Sequence, residues 1–204
     1  MPKADNIGSA DPGHYGVTGG AGLTLQRAPI ALAWNLQGDA TRAAFAEQIQ
    51  RLFGLGRLPA THGIEAGARL DVLWLGPTSW LLLGKGPIQP PHPCSDFRSS
   101  RDAVSTADGA LFDVSASRIA LRIGGPAASV VLASGCPLDL HARAFPGGTC
   151  AQSLFGHIAA LYCRTADAGF TLLVARSLAD EVWTGLCSAG AQYGYEVLAA
   201  EPWR

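Results

Sequence analysis

The chain has 204 residues, and its 15 Lys plus Arg against 16 Asp plus Glu leave a formal charge of −1 with His neutral. That balance offers no footprint for nucleic acid or an anionic membrane surface, both of which recruit clustered Lys and Arg. A charged fraction of 15% beside an apolar share of 48% leaves much of the surface weakly polar, as suits a subunit partly covered by a partner.

The length allows one large domain or two intertwined lobes with a core that needs no staples. The five cysteines, Cys94, Cys136, Cys150, Cys163 and Cys187, are odd in number and include no C-x-x-C pair, which argues against a disulfide framework or a structural zinc and for a reducing cytoplasm. Met1 to Asp11 has no apolar run of the signal-peptide kind. The densest apolar stretch, Val72 to Leu83, is broken by Gly76-Pro77-Thr78-Ser79 and falls short of the roughly 20 residues of a bilayer span. A soluble, cytoplasmic protein is expected.

Residues 1–22, with Gly8, Gly13, Gly16, Gly19, Gly20 and Gly22, lack apolar periodicity and read as a flexible Gly-rich arm. The remainder, 23–204, reads as a single two-lobed domain, with lobe one over about 23–114 and lobe two over about 115–204. Ile30 to Leu36 predicts a strand, and Gly38-Asp39 ends it with Asp39 as helix N-cap. In the helix that follows, Phe45, Ile49, Leu52 and Phe53 share one face until Gly54 and Gly56 stop it. Arg69 to Leu75 and Thr78 to Leu83 form a hairpin signal around Gly76-Pro77. Pro87, Pro90, Pro91 and Pro93 make Lys85 to Ser100 a connection. A short helix over Arg101–Ala107 and a strand over Ala110–Val114 come next.

The second half repeats the order of the first. Ser117 to Ile123 is a predicted strand, Gly124-Gly125-Pro126 a turn, and Ala127 to Ser134 a helix. A loop from Gly135 to Gly148 leads to one strand within Gln152–Arg164 and another at Phe170–Ala175, turning around Asp167-Ala168-Gly169. Ser177-Leu-Ala-Asp180 reads as a capping box for a last helix with Val182, Leu186 and Ala189 inward. The expected class is α+β: two ferredoxin-like, split β-α-β lobes with intertwined antiparallel sheets.

Chemistry is harder to find. Cys136, Asp139 and His141 place three metal-ligand types within six residues but lack a fourth ligand nearby, and a turn set by Gly135 and Pro137 explains them as well. His92 and Cys94 are weaker still. Cys94, Cys136 or Cys150 with His141 or His157 would make a thiol-imidazole pair if the fold joined them. Cys163 and Cys187 read as small buried hydrophobes. Gly54-Leu-Gly56 follows a helix, and Pro126 removes an amide that a phosphate would want, so no dinucleotide loop is present. Trp34, Trp74, Trp80 and Trp183 fit a core, whereas Trp203 after Pro202 reads as an exposed indole. No catalytic, cofactor-binding or metal residue is assigned on these grounds.

The stretch from Arg69 to Leu83, RLDVLWLGPTSWLLL, resembles the hairpin of the gamma subunit of heterotetrameric sarcosine oxidase. That family's later blocks are matched in order by Asp113–Arg118, Ile123–Pro126, Gly135–Leu140, Phe145–Gly147 and Arg176 through Trp183. Thr78-Ser79 stand where an acidic pair is more usual, and the resemblance does not extend to the Gly-rich amino-terminal arm. The resemblance implies an aminomethyltransferase-like, folate-binding-protein-like fold and a structural, assembly role. It implies alpha, beta and delta subunits as partners, mainly alpha, with FAD, FMN, NAD, zinc and tetrahydrofolate held by those subunits. It also implies an assembly that converts sarcosine to glycine, passes the one-carbon unit to tetrahydrofolate or releases formaldehyde, and forms hydrogen peroxide. The alternatives are a free-standing folate-binding or one-carbon transfer protein, and a solitary thiol or metal enzyme on Cys136, Asp139 and His141.

The candidate partner interface is the loop carrying Cys136, Pro137, Leu138, Asp139, Leu140 and Phe145. It is long for a compact domain and sets large apolar residues among turn formers. The competing reading tucks Phe145 into its own core.

Overall fold

The computed structural model describes residues 11–17, 20–164 and 169–203. Its first strands are β1 (Gly13–Tyr15) and β2 (Leu23–Ala28). The chain forms two compact units: one from Ile30–Ala116 with Trp203, the other from the residues up to Pro29 with Ser117–Pro202.

In the Ile30–Ala116 unit, β3 (Ala33–Gln37) leads into α1 (Ala43–Phe53). Phe45, Ile49 and Phe53 are buried at i, i+4 and i+8, and Gly54, at φ 71°, ends the helix with its N–H on Gln50 O. Asp39 is not the N-cap. Its Oδ1 accepts from Thr41 N at 2.9 Å and Thr41 Oγ1 at 2.6 Å, an Asx turn ahead of the helix, and Arg42 holds the cap position. Gly38 is required beside it, because a Cβ there would lie 2.2 Å from the Phe45 ring. The strands β4 (Ile64–Ala66), β5 (Leu70–Gly76) and β6 (Ser79–Gly84) follow, and the expected hairpin is β5–β6. The next helix, α2 (Phe97–Ser105), starts four residues earlier than expected because Asp96 accepts from Ser99 N and Phe97 packs edge-on to Trp34, centroids 5.2 Å apart. With β7 (Ala110–Asp113) the antiparallel sheet runs β4-β5-β6-β3-β7, a split β-α-β lobe whose core includes Trp34, Leu36, Phe45, Trp80 and Leu82.

The other unit contains β8 (Arg118–Gly124), α3 (Ala128–Ala133), β9 (Thr149–Phe155), β10 (Ile158–Arg164), β11 (Phe170–Ala175), α4 (Ala179–Gly190) and β12 (Tyr195–Leu198). The single strand expected within Gln152–Arg164 is a hairpin of β9 and β10, turned by Gly156 at φ 62° and His157. Of the expected turn at Asp167-Ala168-Gly169, Asp167 and Ala168 lie outside the described residues. A 3-10 turn over Arg176–Leu178 precedes α4, and Leu178 at its N-cap gives no side-chain cap, so the expected box does not open the helix.

The seven-stranded sheet runs β1-β12-β2-β8-β11-β10-β9. The inserted strand is β2, antiparallel to β8 and parallel to β12, so an amino-terminal strand completes the sheet of the second half. Two boundaries therefore move. Leu23–Ala28 belongs with the second half, so the units divide near residues 30 and 116. Within the predicted arm, β1 pairs with β12, and Tyr15 is fully buried, stacked on Tyr195 with centroids 5.3 Å apart. A strand of three residues is too short to show periodicity, so only its sheet partner reveals it. No helix among the described residues is long and apolar enough to cross a membrane.

Candidate functional site

The loop 135–148 is bound to its own unit from beneath. Cys136, Leu140 and Phe145 are buried in the core with Phe155, Tyr162 and Trp183, and Leu138 packs half-buried against them. Gly135 has no room for a side chain, since a Cβ would meet the Phe155 ring at 2.9 Å, and its carbonyl accepts from Gly156 N at 2.7 Å. Arg164 donates to Leu140 O at 2.8 Å, and the amides of Ala144 and Phe145 donate to His141 O. Phe145 is thus an internal anchor, the outcome opposite to an exposed apolar contact. Pro137, Asp139, His141 and Arg143 form the solvent side.

The chemistry imagined for this loop does not assemble. Asp139 Oδ1 accepts from His141 N, His141 Nδ1 accepts from Arg143 N, and the Cys136 thiol donates to Ser153 Oγ at 3.8 Å. Among the described residues no group of three or more His, Cys, Asp or Glu is placed to hold a metal ion. His92 does meet Cys94, but through the backbone: Cys94 N donates to His92 Nδ1 at 3.0 Å, so the neutral ring's Nε2–H donates to Arg69 O. Burial pushes the Cys94 thiol up to about 12, far from a thiolate nucleophile. His157 instead faces Glu181, Nε2 to Oε1 3.1 Å, on the surface. At Gly124-Gly125-Pro126 the chain's own backbone fills the space: a Cβ on Gly125 would lie 2.7 Å from Gly22 O, which accepts from Ala127 N.

Two features escaped the sequence reading. In the Ile30–Ala116 unit, Phe53, Leu55, Arg57, Glu65, Arg69 and Pro93 line an open cleft of about 590 Å³, brought together from three separate segments. Asp71 on β5 is buried, with Lys85 Nζ 2.8 Å from Oδ1 and Trp203 Nε1 donating to Oδ2 at 3.1 Å. Trp203, expected to be exposed, is half-buried on this carboxylate. Trp34, Trp80 and Trp183 are core residues, and Trp74 packs edge-on to His62.

Residues 37–192 match the model of the family described as "Sarcosine oxidase, gamma subunit family". The chain is 31% identical over 183 residues to a sarcosine oxidase subunit gamma of Corynebacterium sp. strain P-1, covering 86% of this chain and 85% of that protein. It is 34% identical over 138 residues to the counterpart from Arthrobacter sp., covering 67% and 63%. A chain of the heterotetrameric sarcosine oxidase from Corynebacterium sp. U-96, solved with pyrrole 2-carboxylate, superposes with a TM-score of 0.72 at 26% identity over 87% of this chain and 88% of that one. Aminomethyltransferase T of the glycine cleavage system from Bartonella henselae shares the fold, at TM-score 0.57 and 13% identity, over 84% of this chain and 49% of that one.

Proposed function

The chain belongs to the sarcosine oxidase gamma subunit family, and we propose that within the heterotetramer it is a non-catalytic, structural subunit. The observation that carries this reading is the superposition on a chain of a heterotetrameric sarcosine oxidase along nearly the full length of both. The committed contacts of Cys94, Cys136, Asp139 and His141 support it, because each candidate group already serves a turn or the core. In this reading alpha, beta and delta subunits are the partners, alpha chiefly. They hold FAD, FMN, NAD, zinc and tetrahydrofolate, and the assembly oxidises sarcosine to glycine with release of hydrogen peroxide.

The exposed rim of the 135–148 loop, Pro137 and Asp139 with the half-buried Leu138, is the proposed partner contact; Cys136, Leu140 and Phe145 hold it in shape from below. Co-expression with the partner subunits followed by affinity purification tests both claims. The tagged chain should retain its partners. Pro137→Glu should weaken that retention while shifting the chain's own stability by no more than about 0.5 kcal/mol, as surface changes do. The chain purified alone should be colourless and inert toward sarcosine, and a flavin band that survives gel filtration overturns the non-catalytic reading. A second reading, a free-standing folate protein, rests on the fold shared with the aminomethyltransferase. It takes first place if calorimetry on the isolated chain gives a micromolar tetrahydrofolate constant, about −8 kcal/mol.

A further inference from the structure

Cys150 and Cys163 stand directly opposite each other on β9 and β10. Their neighbours Ala151 and Tyr162 belong to the core on the helix-covered face, so strand alternation puts both thiols on the other face. The hairpin's phase fixes the kind of pair they make. Phe155 and Ile158 flank its two-residue turn and exchange hydrogen bonds, and the pattern alternates outward from there. Ala151 with Tyr162 is then a hydrogen-bonded pair, and Cys150 with Cys163 a non-bonded one. The bond from Gly148 N to Arg164 O, 2.9 Å, agrees, because it makes the Arg164 carbonyl face strand β9 at the next bonded position. Non-bonded pairs bring Cα atoms to about 4.5 Å, with side chains closer than at bonded pairs. A disulfide asks for Cα atoms about 4.4–6.8 Å apart. The other cysteines do not share this placement: Cys94 and Cys136 lie in connections and Cys187 in α4.

We propose that Cys150 and Cys163 form a dithiol that a hydroperoxide, hydrogen peroxide being the simplest, oxidises to a cross-strand disulfide. One sulfur, as thiolate, attacks a peroxide oxygen; the S–O bond forms, the O–O bond breaks, and hydroxide leaves to become water. The facing thiol then attacks the sulfenic sulfur, so that the S–S bond forms, the S–O bond breaks and a second water departs. Two thiols and one hydrogen peroxide become one disulfide and two waters, the sulfur pair losing two electrons. Cys150 and Cys163 are 0% and 3% exposed, so the oxidant reaches them by local opening. Among the described residues the next pair beyond them is Thr149 with Arg164. A resolving thiol already in register favours the disulfide over further oxidation of the first sulfur.

The test is peptide mapping of the folded full-length chain. It is exposed to hydrogen peroxide, quenched with catalase, alkylated with N-ethylmaleimide and digested. The expected product is a linked peptide pair containing Cys150 and Cys163, lighter than the two reduced peptides by two hydrogen atoms and returned to them by dithiothreitol. Cys163→Ser should instead leave a sulfenic acid at Cys150 that dimedone captures. Mapping of the wild-type chain decides the matter if that variant does not fold. Retention of both residues as alkylatable thiols, or a link that forms only in urea-unfolded chain, overturns the proposal.

Discussion

Asp71 sits at the end of a contest between desolvation and its partners. Burial drives its carboxyl above the ordinary value, while Lys85, the Trp203 indole and the Gly67 amide pull it down, and burial wins. A carboxyl whose folded value is raised binds its proton more readily folded than unfolded. Its contribution to stability is therefore complete below the unfolded value and is lost as pH rises through the folded one. Asp71→Asn keeps the shape and removes the titration. The wild type should gain stability relative to this variant between about pH 7 and about pH 4, read by urea unfolding at each pH; a relative loss on acidification contradicts the assignment. Trp203→Phe removes a donor from this carboxylate and should cost about 1.5 kcal/mol. At Phe145 the expectation is larger. It is 6% exposed, so Phe145→Glu buries an unpaired charge and should lower the isolated chain's stability by several kcal/mol in a thermal melt. The Asp71–Trp203 contact was not legible in the sequence, and at Phe145 the sequence left the outward and inward readings open. Trp203 and Asp71 are 132 residues apart, and whether a loop phenylalanine turns inward depends on the core it meets, here one that includes Phe155, Tyr162 and Trp183.

Helices and the hairpin β5–β6 were legible because their own residues specify them. Phe45, Ile49 and Phe53 define the buried face of α1 whatever packs against it, and Gly76-Pro77 separates two apolar runs. The start of α2 was hidden among prolines, since Asp96 declares itself a cap only by its bond to Ser99 N. The hairpin β9–β10 read as one strand because Gly156-His157 is short and both flanks are apolar. For β1 the sequence offers only Gly13-His-Tyr15, and its stability comes from a distant partner. Tyr15→Ala should cost about 3 kcal/mol in urea unfolding by emptying a fully buried aromatic site stacked on Tyr195. Tyr15→Phe, which loses only the hydroxyl's bond to Asp11 O, should cost about 1 kcal/mol. Equal effects of the two would mean that packing on Tyr195 is not what holds the strand.

The repeated strand-helix order made the two-lobed class visible, yet connectivity hid the exchange that makes the seven-stranded sheet. Gln26 on β2 donates to Ala199 O across 173 residues of sequence, and such a pairing leaves no local trace. The consequence concerns how the molecule folds. Residues 117–204 contain β8 and β12 but not β2, which separates them. Without β2, the bonds that β8 and β12 make to it are unmade, and Leu23 and Leu25, both fully buried, are missing from the core. Unmet backbone groups and lost apolar contacts on this scale rival the roughly 5–15 kcal/mol by which a folded domain is stable. The fragment 117–204 alone should therefore show no cooperative unfolding transition, and addition of a peptide spanning residues 11–29 should restore one by strand complementation. A sharp transition in the fragment alone, unmoved by the peptide, would show that the second half closes its own sheet and that β2 only decorates it. The complemented fragment is also the material with which to ask whether this unit by itself retains partner subunits, since it carries the whole 135–148 loop.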